Sequence, residues 1–273
     1  MHRLLVVPMA LFAATACAPD SSNSSLASAV CGAGANAGGA SAGGASAGGA
    51  GAGGGSAGLS CGDPTLAVDP TAMIDDMESP APPTLKGGSW WADGDEASKA
   101  AGAAITPAGD VTAELIPGGR CASKYAVHMT GHGFQEWSVV SASFGWASVD
   151  GGPEQQLPYD AHTRVGLTFW ARIGDTSSAS VRLNVPDAYS SGDGGICDKT
   201  ATSGDTQCYD HFGVTLAGLD VTWKQYRVPF AGLSQLMFGL PRASLDTTRI
   251  YSVDFLFPLG SVYDFWVDDV SFY

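Results

Sequence analysis

Residues 263–273 read Tyr-Asp-Phe-Trp-Val-Asp-Asp-Val-Ser-Phe-Tyr, an aromatic and β-branched run with two adjacent carboxylates inside it. Such a run favours a β-strand, and burying Asp268 and Asp269 within it is costly unless a cation neutralises them. A similar acidic interruption, Met73-Ile74-Asp75-Asp76-Met77-Glu78, lies much earlier in the chain. If these two segments pair as strands, their carboxylates converge on an oxygen-rich site suited to calcium.

Short β-type runs fill the chain between these two segments. They are separated by Gly, Pro, Asp and Ser, and no long stretch carries a helical period. The predicted strands are 126–130, 137–144, 164–173, 180–185, 222–230, 250–257 and 263–272. The pattern predicts an all-β fold, a β-sandwich or jelly roll, as one domain over residues 66–273.

Alternation within three of these strands predicts a polar face opposite the core. The side chains predicted to point inward include Val165, Leu167, Phe169, Ala171, Val181, Leu183, Val185, Tyr226 and Val228. Those predicted to point outward are Trp170, Arg172, Arg182, Asn184, Gln225 and Arg227. An aromatic ring can stack on a sugar, and amide and guanidinium groups can bind its hydroxyls, so this face fits a glycan platform. A merely solvated face of an antiparallel sheet would look the same.

The first residues predict export. Residues 1–16 have a basic start, an apolar run and small residues before Cys17, as in a secretory signal peptide, and the run is too short to span a bilayer. Ala14-Thr15-Ala16-Cys17 resembles the lipobox of bacterial lipoproteins. That resemblance implies a lipid on Cys17, which would anchor the protein without a transmembrane helix, and Ala18 favours the outer membrane or cell surface. An ordinary signal peptide would leave Cys17 as a plain thiol.

Residues 17–65 predict a flexible, disordered Gly/Ala/Ser tether. The segment is nearly free of charge and large apolar residues, and it contains near-repeats such as 37–44, so it cannot bury enough surface to offset chain entropy. The whole chain has a formal net charge of −14. This charge argues against nucleic acid as a partner and fits a neutral glycan better than an acidic one. We expect a monomer.

The cysteines predict at least one disulfide, because export permits disulfides. Cys197 and Cys208 flank a short Gly/Asp/Thr loop that can bring their sulfurs together. We expect a second bond either between Cys61 and Cys121 or between Cys31 and Cys61, which would leave Cys121 as a free thiol, and the sequence leaves both open. Zinc is not expected, since no Cys-x-x-Cys spacing is present.

Four segments resemble one known family when taken together in their order and spacing. They are Ile74-Asp75-Asp76-Met77-Glu78, Phe169-Trp170-Ala171-Arg172, Trp223-Lys224-Gln225-Tyr226-Arg227-Val228-Pro229-Phe230 and Phe265-Trp266-Val267-Asp268-Asp269-Val270. They resemble a galactose-binding-like β-jelly roll, in particular carbohydrate-binding module family 11 and its neighbours on secreted lipoproteins of myxobacteria.

The resemblance implies two sites. A structural calcium would be held by Glu78 and by Asp268 or Asp269, with Asp75 and Asp76 in reserve. A glycan cleft would lie on the outward polar face, with His211 and Trp91 adding rim contacts; at most one of Trp90 and Trp91 should be exposed.

The predicted function is a non-catalytic, lipid-anchored module that binds a neutral polysaccharide or glycan. Glycoside hydrolysis needs two carboxylates facing each other, and nothing in the sequence links the candidates Glu136 and Asp254. The alternative is a structural or protein-interaction lipoprotein that uses the same sandwich without sugar. An exposed Trp170 beside Arg172 and Arg227 would favour the sugar, whereas an occluded face would favour the alternative.

Overall fold

The computed structural model describes residues 69–79, 84–148, 150–152 and 154–273. Its elements are β1 (Met73–Asp75), β2 (Trp90–Gly94), α1 (Glu96–Ala100), β3 (Ala104–Thr106), β4 (Gly109–Val111), β5 (Glu114–Arg120), β6 (Ser123–His132), β7 (Ser138–Ser143), β8 (Trp146–Ser148), β9 (Glu154–Gln156), β10 (Gly166–Ile173), β11 (Ser180–Val185), β12 (Phe212–Ala217), β13 (Lys224–Pro229), β14 (Ser252–Leu256) and β15 (Val262–Phe272). No helix in these ranges is long and apolar enough to cross a membrane. The predicted signal peptide and tether lie outside the described residues.

Two antiparallel sheets make up the sandwich. Sheet A has the order β13-β10-β15-β6-β3, with β1 added on β15 and β5 on β6. Sheet B has the order β12-β11-β14-β7-β2-β4, and β8 and β9 form a separate hairpin. Each predicted run coincides with one of these strands, so the predicted all-β sandwich is confirmed.

The core lies between the two sheets. Phe169 of β10 and Phe265 of β15, both in sheet A, pack with ring centroids 5.2 and 5.3 Å from Phe255 of sheet B. Burying each such ring stabilises the fold by roughly 1.5–3 kcal/mol. The predicted inward residues of β10 and β11 are buried. Val165 is the exception at 61% exposure, because β10 begins only at Gly166 and the alternation does not extend beyond it.

The two acidic segments lie side by side, as the sequence predicts. β1 pairs with β15, with Met73 opposite Ser271 and Asp75 opposite Val270. One extra residue bulges from β15 against β10, where Asp269 has a positive φ of 49°. Consecutive strand residues normally point to opposite faces, but a bulge re-aims side chains. Asp268 and Asp269 can therefore reach the same group.

The predicted Cys197–Cys208 disulfide is present, with a Cα–Cα distance of 5.2 Å. Cys121 is also disulfide-bonded, so the alternative that leaves it as a free thiol is wrong. Cys31 and Cys61 lie outside the described residues.

Candidate functional site

Arg120, at the end of β5, lies between the acids predicted to hold calcium. Its Nε donates to Asp268 Oδ2 at 2.9 Å, one terminal nitrogen lies 2.8 Å from the same oxygen, and that nitrogen also contacts Asp269. Arg120 is only 4% exposed and Asp268 is fully buried. Burial raises the pKa of Asp268 to about 6, although the attraction of Arg120 opposes the rise.

The two remaining predicted calcium ligands bind N–H and O–H groups. Glu78 Oε1 accepts from the Lys124 backbone at 2.7 Å and contacts the Ser123 hydroxyl at 3.0 Å, and Asp76 accepts from the Glu78 backbone at 3.1 Å. Among the described residues, no group of three or more His, Cys, Asp and Glu side chains is placed to hold a metal ion. As arranged, these acids fit a guanidinium rather than calcium, which takes six to eight oxygens. The calcium stays a prediction.

The outer face of sheet A is closed. Trp170 is 7% exposed and packs with Trp223, Trp266, Ala126 and Ile116 in a small hydrophobic cluster. Two cations stack on this cluster: the Arg120 guanidinium lies 4.7 Å from the Trp170 ring, and Arg172 lies 4.7 Å from Trp266. Trp170 is therefore not the exposed platform that the sequence predicts, because β5 brings Ile116 and Arg120 over it.

Gln225 and Arg227 also lie on sheet A. They are opposite Trp170 and Thr168 in the β10–β13 register. The Arg227 guanidinium stacks 3.8 Å from the centroid of the Tyr273 ring, and Gln225 donates weakly to the Thr168 hydroxyl at 3.4 Å. The predicted outward direction of these side chains is confirmed, but they flank a closed cluster.

The other predicted ligand residues lie on the outer face of sheet B, on the opposite side of the sandwich. The strand register aligns one outward position from each of five successive strands, and an isolated bridge adds Ser234. We call these positions the sheet B row: Trp91, Ser141, Asp254, Asn184, Gly213 and Ser234. Neighbouring strands are about 4.8 Å apart, so the row is roughly 24 Å long. Trp90 points into the core, so only Trp91 of the pair is partly exposed.

Hydrogen bonds fix the polar side chains along the row. Ser141 donates to Asp254 Oδ1 at 2.6 Å, Arg182 Nε donates to Asn184 Oδ1 at 2.9 Å, and a terminal nitrogen of Arg182 donates to the Ser234 carbonyl at 2.8 Å. A Cβ on Gly213 would lie 2.2 Å from Asn184 Oδ1. Only glycine therefore leaves room for Arg182 and Asn184 to lie across β12.

The row presents groups of several chemical kinds. Trp91 and Asp254 are partly exposed, as is Arg182 beside the row. The Trp91 indole N–H is itself buried and has no hydrogen-bond partner within the described part of the chain. Burial raises the pKa of Asp254 to about 6, although the hydrogen bond from Ser141 opposes the rise. Burial also lowers the pKa of His211, which immediately precedes β12, to about 4, so this imidazole is neutral at pH 7. The row together with the adjacent Arg182 thus combines an aromatic ring, a carboxylate, an amide and a guanidinium.

Sequence reasoning missed four members of the row, among them Ser234, which lies outside the predicted strands. Asp254 entered only as a candidate for hydrolysis, although its place in the strand Ser252–Leu256 shows that it points away from Val253 and Phe255. Ser141 and Gly213 carry no chemical signal of their own, and only the register places them beside Trp91 and Asn184.

No protein-family model matches this chain, and no curated protein sequence matches it. Among solved structures, it resembles the family 11 carbohydrate-binding module from Clostridium thermocellum in complex with a beta-1,3-1,4-mixed-linked tetrasaccharide, with a TM-score of 0.47 and 15% identity over 74% of this chain and 94% of that one. It also resembles a family 30 carbohydrate-binding module of a cellulosomal cellulase from the same organism, with a TM-score of 0.45 and 9% identity over 74% and 96% of the two chains. These are likenesses of a β-sandwich fold.

Proposed function

We propose that the protein is a non-catalytic module that binds a neutral glycan along the sheet B row. The observation that carries this proposal is the alignment of Trp91 with Asp254 and Asn184 across one partly exposed sheet face, with Arg182 hydrogen-bonded to Asn184 beside them. An aromatic side chain and a few fixed polar groups are the usual elements of a small-molecule site. A polysaccharide chain lying across the strands would meet each element in turn.

The polar groups of the row suit sugar hydroxyls. Asp254 accepts hydrogen bonds, and Arg182 holds the Asn184 oxygen, which leaves the amide N–H groups of Asn184 as donors. A vicinal diol needs donors and acceptors side by side, and a charged partner strengthens each hydrogen bond. Asp254 and Asp110, which lies opposite Trp91 on β4, would repel an acidic polysaccharide, so the proposed ligand is neutral.

Affinity gel electrophoresis against a panel of neutral plant, fungal and bacterial polysaccharides tests the proposal. We expect retention by at least one of them, and a loss of about tenfold in affinity, or 1.4 kcal/mol, for Trp91→Ala. Trp146→Ala is the matched control, because Trp146 is exposed on the separate β8–β9 hairpin. If Trp91→Ala is retained as strongly as the wild type, the row is not the binding site. Product analysis after long incubation checks that no glycan is cleaved.

We also propose that the module is exported and held at the membrane by a lipid on Cys17, which lies outside the described residues. The Cys197–Cys208 disulfide supports export. Labelling with radioactive palmitate in a bacterial host tests the anchor. Cys17→Ser should lose the label and move to the soluble fraction, while Cys31→Ser should keep the label and stay in the membrane fraction. A label that persists in Cys17→Ser contradicts the anchor.

A second candidate function is a structural or protein-interaction lipoprotein that binds no sugar. The closed cluster on the outer face of sheet A favours it, because the three tryptophans there serve packing. Absence of retention on every polysaccharide in the panel would select this function.

A further inference from the structure

The loop after Ser234 exposes three consecutive large apolar side chains. Leu236 is 61% exposed, Met237 is 69% exposed and Phe238 is 45% exposed, and we call these three residues the apolar tip. Single exposed apolar residues are common on protein surfaces, but contiguous ones mark binding surfaces.

The main chain of the tip is rigidly held from below. The buried carboxylate of Asp210 accepts from the backbone N–H groups of Leu236 at 2.7 Å, Phe238 at 3.0 Å and Gly239 at 3.2 Å. Met237, between them, has a positive φ of 69°, a conformation that is unfavourable for a residue with a Cβ. The three bonds to Asp210 hold this backbone in place.

A second buried side chain braces the same loop. The amide of Gln235 donates to the carbonyls of Asp210 at 2.8 Å and Leu240 at 3.0 Å, and its oxygen accepts from the Arg242 backbone at 2.7 Å. The tip is therefore pre-organised, and little conformational entropy remains to be lost when a ligand binds it.

The apolar tip adjoins the sheet B row at the end opposite Trp91. Ser234, the last member of the row, pairs with Gly213 and precedes Leu236 by two residues. Arg182 contacts the Ser234 carbonyl, so one side chain touches both the row and the base of the loop. Tyr209, the exposed neighbour of Asp210, lies edge-on to His211 with ring centroids 6.2 Å apart.

We propose that the apolar tip binds an acyl substituent carried by the glycan that occupies the sheet B row; this inference rests on the proposed function. A bare pyranose stacks best on a flat aromatic face such as that of Trp91. Two of the three side chains of the tip, Leu236 and Met237, are aliphatic and not flat, and a methionine side chain adapts to apolar groups of irregular shape. The chemistry of the tip thus matches an ester-linked acyl group next to a sugar ring.

The experiment uses the polysaccharide that the wild-type protein retains, before and after partial chemical O-acetylation. We expect the full-length protein to bind the acetylated form at least about tenfold tighter, a difference of 1.4 kcal/mol. The double variant Leu236→Ser/Phe238→Ser should lose this preference and keep its affinity for the unmodified polysaccharide within about twofold. Leu259→Ser, on another loop and equally exposed, should keep the preference.

Three results would overturn the inference. The first is equal affinity of the wild type for both forms, and the second is a preference that persists in the double variant. The third is concentration-dependent dimerisation of the wild type that the double variant abolishes, which would assign the tip to a second copy of the chain. If the wild type retains neither form, the proposed function fails as well. If the wild type retains both forms and only Trp91→Ala loses them, the proposed function stands.

Discussion

Replacing Arg120 with Met is expected to destabilise the domain strongly at pH 7. Methionine keeps an apolar side chain over the Trp170 ring but removes the guanidinium that contacts Asp268 and Asp269. Removing one partner of a buried ion pair costs about 3–5 kcal/mol, because the other charge stays buried without compensation. For a domain of this size each kcal/mol lowers Tm by about 2–4 °C, so we expect a decrease of roughly 6–20 °C.

The loss should shrink as the pH falls. The pKa of Asp268 in the folded protein, about 6, lies above its unfolded value of 3.8. A carboxyl group of this kind favours folding most below pH 3.8 and loses that contribution as the pH rises through its folded pKa. Without Arg120 the folded pKa of Asp268 rises further, so at pH 4 the group is protonated and the missing guanidinium matters less.

Urea unfolding at pH 4 and pH 7 measures both effects. A double-mutant cycle with Asp268→Asn isolates the coupling between the two side chains, and Arg227→Met, an exposed arginine stacked on Tyr273, is the control that should change stability by less than about 0.5 kcal/mol. A stability of Arg120→Met within 1 kcal/mol of wild type at pH 7 would refute the reasoning, as would an equal loss at both pH values.

Three further predictions concern the ion and the two sheet faces. Because Arg120 already neutralises the acids, thermal unfolding of chelator-treated protein should be unchanged by millimolar calcium; a rise in Tm would instead establish the ion predicted from the sequence. Trp170→Ala should cost about 3–5 kcal/mol of stability while the folded fraction keeps its glycan affinity, and loss of affinity in folded protein would return Trp170 to the binding site. Glycan affinity should fall as the pH drops through about 6, where Asp254 takes up a proton, and Asp254→Asn should flatten this profile in calorimetric titrations; an unchanged profile would exclude Asp254 from the site.

Alternation predicted which side chains leave the core, but not which sheet carries each strand. Leu183 and Val185 point inward and Arg182 and Asn184 outward, as the sequence indicates. However, β11 lies in sheet B whereas β10 lies in sheet A, so Asn184 and Trp170 are on opposite sides of the molecule. A period of two in the sequence shows only whether a side chain points toward the core or away from it. The order of the strands in the sheets depends on contacts between distant segments.

The convergence of the acids could be predicted because buried carboxylates in two apolar segments need a common partner. The identity of that partner could not be predicted. Arg120 follows Pro117, Gly118 and Gly119, a composition typical of a turn rather than a strand. In the structure this segment pairs with β6 as β5, and its last residue supplies the positive charge.

The central position of β15 has a consequence for biogenesis. β15 pairs with β1, β6 and β10, and it follows all three in the chain, so sheet A cannot be completed until this segment has left the ribosome. Folds dominated by such distant pairings form slowly. The domain would consequently reach its native fold only once β15 has been synthesised.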